Sequence, residues 1–146
     1  MRLYLDTEFN GFGGELMSIG IAPSDPQAMS FYAVVKWEAP TDPWVQEHVV
    51  PHLGFAPMPR REAAVHLAQY LTRFDGHAIV ADWPTDFEHL LALLITGPGQ
   101  MLIVPDFDME YRRMPGFSTA SASKVPHNAL ADAAALRDYW EAQIAP

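Results

Sequence analysis

Residues 2 to 9, Arg-Leu-Tyr-Leu-Asp-Thr-Glu-Phe, constrain this chain more than any other stretch. Their side chains favour extended backbone, alternate in character and include no glycine or proline, which reads as a strand. Side chains alternate faces along a strand, so Tyr4, Asp6 and Glu8 share one face while Leu3, Leu5 and Thr7 share the other. Two carboxylates side by side on an otherwise apolar strand repel one another. A fold tolerates that best when a cation lies between them. An Asp-x-Glu spacing is weak evidence alone, because short motifs recur by chance on solvated edges.

The 146 residues suffice for one domain with a proper core and are too few for two, so a single domain over 1–146 is expected. Hydrophobic residues at 49% and charged residues at 18% fit a soluble globular protein. The absence of cysteine excludes a disulfide framework, a thiolate zinc site and a cysteine nucleophile. There is no basic-then-apolar leader and no apolar run of membrane-spanning length, so the expectation is a cytoplasmic protein with no membrane partner. A net charge of −9 argues against broad electrostatic capture of nucleic acid. A polyanionic substrate would instead be held at a small site, through metal ions and a few basic residues.

After the first strand, residues 10 to 14 form a turn, and 15 to 22 and 30 to 37 read as second and third strands of an antiparallel meander. Residues 39 to 59 are irregular and proline-rich, with one helical turn around 44 to 49. A helix is predicted over 60 to 74, a buried strand over 77 to 82, and a further helix from Pro84, with Thr85 and Glu88 as a capping box. Met101 to Val104 is the predicted fifth strand. The run Asp106-Phe107-Asp108-Met109-Glu110 reads as a polar loop leading into a short helix, and 116 to 126 as a mobile polar loop. The last helix is predicted from Asn128 to Gln143, with Leu130, Ala133, Leu136 and Trp140 inward. The expected fold is α/β of the ribonuclease H-like type: a mixed five-stranded sheet, three strands antiparallel and two parallel, with helices on both faces.

Besides Asp6 and Glu8, three positions stand out. Asp86 opens a helix, where the plain reading is an acid favoured by the helix dipole. Asp132 lies one turn before Leu136 and thus near the buried stripe, an uncomfortable place for a solvated acid. His127 precedes it by five positions. Together Asp6-Thr7-Glu8-Phe9, Asp86 and His127-Asn128-Ala129-Leu130-Ala131-Asp132 resemble the three motifs of the DEDDh-type 3′–5′ exonucleases, and the chain is similar to their compact exoribonucleases. The middle motif departs from the pattern, since Thr85 stands where the family has an aromatic. Asp82 therefore competes with Asp86 for that role.

The resemblance implies hydrolysis of phosphodiester bonds from the 3′ end of single-stranded RNA or 3′ overhangs, releasing 5′-mononucleotides. Two Mg²⁺ or Mn²⁺ ions would be clamped by carboxylates from several elements, Asp6 bridging and Glu8, Asp86 and Asp132 completing the shell. His127 would be the general base, imidazole titrating near neutrality. The substrate-binding candidates are Phe9, Thr7 and Lys124. Phe9 is either a platform for the terminal base or a core aromatic; Lys124, with Arg112 and Arg113, is either a phosphate contact or a solvated base. Trp44 and Trp83 read as packing. RNA is favoured over DNA from the resemblance alone. An exodeoxyribonuclease and a non-catalytic nucleic-acid-binding adaptor of the same fold remain alternatives. A homodimer is suggested by analogy with such relatives.

Overall fold

The computed structural model describes residues 1–74 and 76–146. Its main sheet has five strands, in the spatial order Phe31–Val34, Leu16–Pro23, Arg2–Phe9, His77–Ala81, Phe107–Tyr111. The first three are β1 (Arg2–Phe9), β2 (Leu16–Pro23) and β3 (Phe31–Val34), paired antiparallel in the expected meander. After β3, Val35 touches Met58 through one isolated bridge, so the third strand is shorter than the 30–37 predicted. The proline-rich segment holds α1 (Pro43–His48) and a 3-10 turn over Val50–His52. Next come α2 (Arg60–Leu71) and β4 (His77–Ala81), the latter parallel to β1 with Tyr4 beside Val80.

The next helix, α3, spans Pro84–Leu94. Its first residue is Pro84, so Thr85 lies inside the helix; Trp83 is at the cap position and caps with no side-chain hydrogen bond. The expected capping box is therefore absent. A proline at the first helical position starts the helix without one, since its fixed φ suits the helix and its missing N–H was an orphan anyway.

The fifth strand is also a correction. Residues 101 to 104 do not join the sheet: Ile95–Gly97 (β5) and Gln100–Met101 (β6) form a separate hairpin, and Leu102 and Val104 pack on the core as irregular chain. The parallel fifth strand is β7 (Phe107–Tyr111), from the acidic run expected to be a loop. It lies at the sheet edge, where Asp108, Met109 and Tyr111 all meet water, and it is held in the sheet by parallel pairing with β4 from Phe107 to Tyr111. The segment 116 to 126 likewise contains a short helix, α4 (Thr119–Ala122). The final helix, α5, runs Ala129–Ile144, close to prediction.

Helices cover both sides of the sheet. Leu3, Leu5, Ile19 and Ile79 pack with Leu67, Leu71, Leu90 and Leu93 of α2 and α3 on one face. On the other, Tyr4 and Val80 pack with Leu136 of α5. The Tyr4 hydroxyl donates to Glu141 at 2.6 Å, and Arg2 donates to the same carboxylate twice at 3.0 Å. These bonds tie the start of β1 to the end of α5.

The start of α5 is set by Gly20 of β2, which lies opposite Asp6 in the register. A Cβ there would come within 2.4 Å of the Ala129 carbonyl carbon and the Leu130 nitrogen. Only glycine lets the first turn of α5 rest on the sheet at that level. Asn128 caps it, accepting from the Ala131 N–H at 3.0 Å and donating to the His52 carbonyl at 2.9 Å.

Candidate active site

The carboxyl ends of the parallel strands β1 and β4 open into a cavity of about 620 Å³. Strand β1 supplies Asp6 and Glu8; Asp82 follows β4, Asp86 is in the first turn of α3, and Asp132 is in the first turn of α5. One carboxylate oxygen from each of Asp6, Glu8 and Asp132 lies within 4.8 Å of the other two, and the same holds for Asp6, Asp82 and Asp86. Asp6 is common to both groups. Asp82 and Asp86, rivals for one role in the sequence, are thus both brought to Asp6.

The carboxylates are held in a consistent way. Asp86 is 2% exposed; its Oδ1 accepts from the Thr7 N–H at 3.1 Å and from the Thr7 hydroxyl at 2.6 Å. Asp132, also 2% exposed, accepts the His127 N–H on Oδ2 at 3.1 Å. The second oxygens, Asp86 Oδ2 and Asp132 Oδ1, are buried without a hydrogen-bond donor among the described residues, as is Asp6 Oδ2. Buried polar atoms are normally satisfied, and a carboxylate oxygen left bare in the interior is costly. Hard oxygen donors converging with unsatisfied lone pairs fit a divalent cation such as Mg²⁺ or Mn²⁺.

The electrostatics agree. Burial, followed by the charges of Asp86, Glu8, Asp132 and Asp82, pushes the Asp6 carboxyl well above the usual carboxylate range. Burial and the charges of Asp132 and Asp86 push Glu8 up to about 8. Asp86 rises to about 7, again chiefly through burial, although its bonds from Thr7 pull the other way. For Asp86 that rise corresponds to ~4 kcal/mol against the charged form, whereas the dipole of α3 contributes only ~0.3–1 kcal/mol in its favour. Burial and crowding therefore win. The plain reading of Asp86 as a dipole-stabilised surface acid does not describe it.

His127 lines the same cavity. Its φ of 65° is in the left-handed region, which histidine, like asparagine and aspartate, enters more readily than most side chains. The N–H bond to Asp132 and the Asn128 cap hold it there. The edge of its ring meets Trp44 with centroids 5.3 Å apart. Trp44 is half exposed and also stacks on His48. Its position is fixed by Asp42, which caps α1 by accepting from the Trp44 N–H at 2.9 Å.

Both tryptophans depart from the packing role expected of them. Trp44 is 52% and Trp83 49% exposed, and both line the cavity. Phe12 joins them at 82% exposure, 6.5 Å from Trp83 between ring centroids. It escaped notice in the sequence, although its place between Gly11 and Gly13, both at positive φ, marks an aromatic carried out on a turn beside two acids. Phe9 is half-buried, stacks on His89 of α3 at 4.9 Å and lines the cavity. Thr7, expected to meet substrate, is 5% exposed with its hydroxyl given to Asp86. Lys124 is exposed between α4 and α5 and does not line the cavity.

No helix among the described residues is long and apolar enough to cross a membrane. No protein-family model matches the chain. Among characterised proteins it is similar to the 3′–5′ exoribonuclease of Mycobacterium tuberculosis, in both the CDC 1551 / Oshkosh and the ATCC 25618 / H37Rv strains. The identity is 30% over 154 aligned positions, spanning 91% of this chain and 87% of the relative. With acids, histidine and open aromatic rings gathered in one cavity and a relative aligned over nearly its whole length, the chain belongs to the 3′–5′ exoribonuclease family and is an exonuclease.

Proposed function

We propose that this protein is a DEDDh-type 3′–5′ exoribonuclease with a ribonuclease H-like fold, dependent on Mg²⁺ or Mn²⁺ and acting on single-stranded RNA or 3′ overhangs. The observation that carries the reading is the meeting of acids from β1, α3 and α5 around Asp6, with bare buried oxygens, at a cavity lined by Asp6, Glu8, Asp86 and His127, Asp132 reaching Asp6 and Glu8 from behind its wall. The relatives' name supplies the class of substrate.

When bound, divalent cations make a water nucleophilic near neutral pH and offset charge on the attacked phosphate and the leaving 3′ oxygen. Asp6, common to both groups of acids, would help hold both cations, with Glu8 and Asp132 completing one group and Asp86 the other. The Thr7 hydroxyl and N–H fix one oxygen of Asp86 and leave the second free. His127 accepts the proton of the attacking water, and its left-handed backbone, held by the bond to Asp132, keeps the ring at the cavity. Phe9, Phe12, Trp44 and Trp83 offer π-faces on which unpaired bases stack without regard to sequence. Lys124, outside the cavity, is left with a contact to phosphates further along the strand.

Matched RNA and DNA oligonucleotides that differ only in the 2′-hydroxyl test the substrate class. RNA is expected to shorten about two- to tenfold faster, the worth of one hydrogen bond to that group. Equal rates on DNA would overturn the ribonucleotide assignment.

A further inference from the structure

We propose that Asp82 is a fifth metal-facing carboxylate, which with Asp6 and Asp86 closes a three-acid shell that holds a divalent cation on the free enzyme, before any substrate phosphate arrives. The proposal rests on the two-cation reading above and deepens it.

The placement follows from the sheet. Strands β1 and β4 are parallel neighbours with Tyr4 beside Val80, both packed towards α5. Two residues further on are Asp6 and Asp82, on the same face by the alternation of strand side chains. Their carboxylates therefore leave the sheet side by side, and the measured separation, within 4.8 Å with Asp86 included, agrees. Trp83 and Pro84 then turn the chain into α3, which returns Asp86 to the same point from the other side.

Proximity of acids alone does not make a cation site. Here the Asp86 side chain is 2% exposed, its Oδ1 is anchored by Thr7, and its Oδ2 has no donor among the described residues; Asp6 Oδ2 is likewise bare. The ion pairs among the described residues, Arg2–Glu141, Lys36–Glu38, Arg112–Glu110 and Arg137–Asp138, involve none of the five acids. The neutralising charge must then come from solution. Mg²⁺ in phosphate-processing sites is usually held by one or two carboxylates, with substrate oxygens completing the shell. Three acids on this side provide enough negative charge to bind the ion without the phosphate.

Metal-stripped protein, free of nucleic acid, should be titrated with Mn²⁺, with the unbound ion read by electron paramagnetic resonance. Wild type is expected to take up two Mn²⁺. Asp82→Asn should retain one and bind the other at least about tenfold more weakly, in the range typical for loss of a group that supports a metal. Asp82→Glu, which keeps the charge, should restore the second ion in part. Thermal melting in EDTA should leave Asp82→Asn no less stable than wild type, because removing one acid relieves repulsion. Two Mn²⁺ on Asp82→Asn with wild-type affinities would overturn the role of Asp82 and leave the two-cation reading standing. A single Mn²⁺ on wild type that Asp82→Asn binds with the same affinity would overturn preloading at this shell. No Mn²⁺ on wild type would overturn both.

Discussion

Two acids at this site, Asp86 and Asp132, are arranged so that each keeps one oxygen for the chain and leaves one for something else. Asp86 gives Oδ1 to Thr7 and Asp132 gives Oδ2 to His127, while their partner oxygens stay bare. Removing Asp6, the acid common to both groups, should lower turnover by about 10³-fold or more, since several kcal/mol of charge stabilisation depend on it. His127→Ala should cost about 10²–10⁴-fold, the usual contribution of a general base, and should leave Mn²⁺ binding intact. Thr7→Val removes the hydroxyl behind Asp86 and should weaken metal affinity by about 10–100-fold, with Thr7→Ser recovering most of the loss. Calorimetric Mn²⁺ titration beside single-turnover cleavage separates these effects. At this scale the sequence was informative where a residue's type and its place on a strand or helix agree, as at Asp6, Glu8 and Asp132. It was silent on Phe12 and misleading on Trp44, because exposure next to a cavity depends on chain folded around it from elsewhere.

At the scale of elements, the site depends on α5 lying hard against β2. Gly20→Ala would put a methyl 2.4 Å from α5 backbone, and backbone cannot rotate aside as a flexible side chain would. Overpacking of this kind costs typically ~1–3 kcal/mol, and the helix can escape only by moving Asp132 away from Asp6. Gly20→Ala is therefore expected to lower both the denaturation midpoint and Mn²⁺ affinity, followed by chemical unfolding and by metal titration; unchanged values would mean that the close approach is not needed. Periodicity made β1, α2 and α5 legible, since each buries a regular stripe. It misled at β7, where Asp108 and Glu110 drew attention from Phe107, Met109 and Tyr111, and at 101–104, where apolar residues pack without forming a strand. An edge strand exposed on both faces looks like a loop when its charges are weighed before its alternation.

The whole molecule carries a net charge of −9, and part of it is crowded into one buried cluster. Burial and mutual repulsion raise Glu8 from 4.5 to about 8 and Asp86 from 3.8 to about 7 in the folded protein. Between the unfolded and folded values, the folded state binds more protons than the unfolded one, so stability falls as pH rises. Metal-free protein should thus melt at progressively lower temperature from about pH 4 to pH 8. Added Mg²⁺ or Mn²⁺ should remove most of that slope, because a cation stabilises the ionised acids and binds only the folded state. Calorimetric melts across that range with and without EDTA check it; a slope that metal leaves unchanged would mean the acids are not a cation site.

The most direct measurement follows a 5′-labelled single-stranded RNA with Mn²⁺ present, using wild type and Asp6→Asn shown to be folded by circular dichroism. The expected result is a ladder shortening stepwise from the 3′ end with wild type, and none with Asp6→Asn or with EDTA. Cleavage by Asp6→Asn at the wild-type rate, or a ladder indifferent to chelation, would contradict a metal-dependent exonuclease built on these acids.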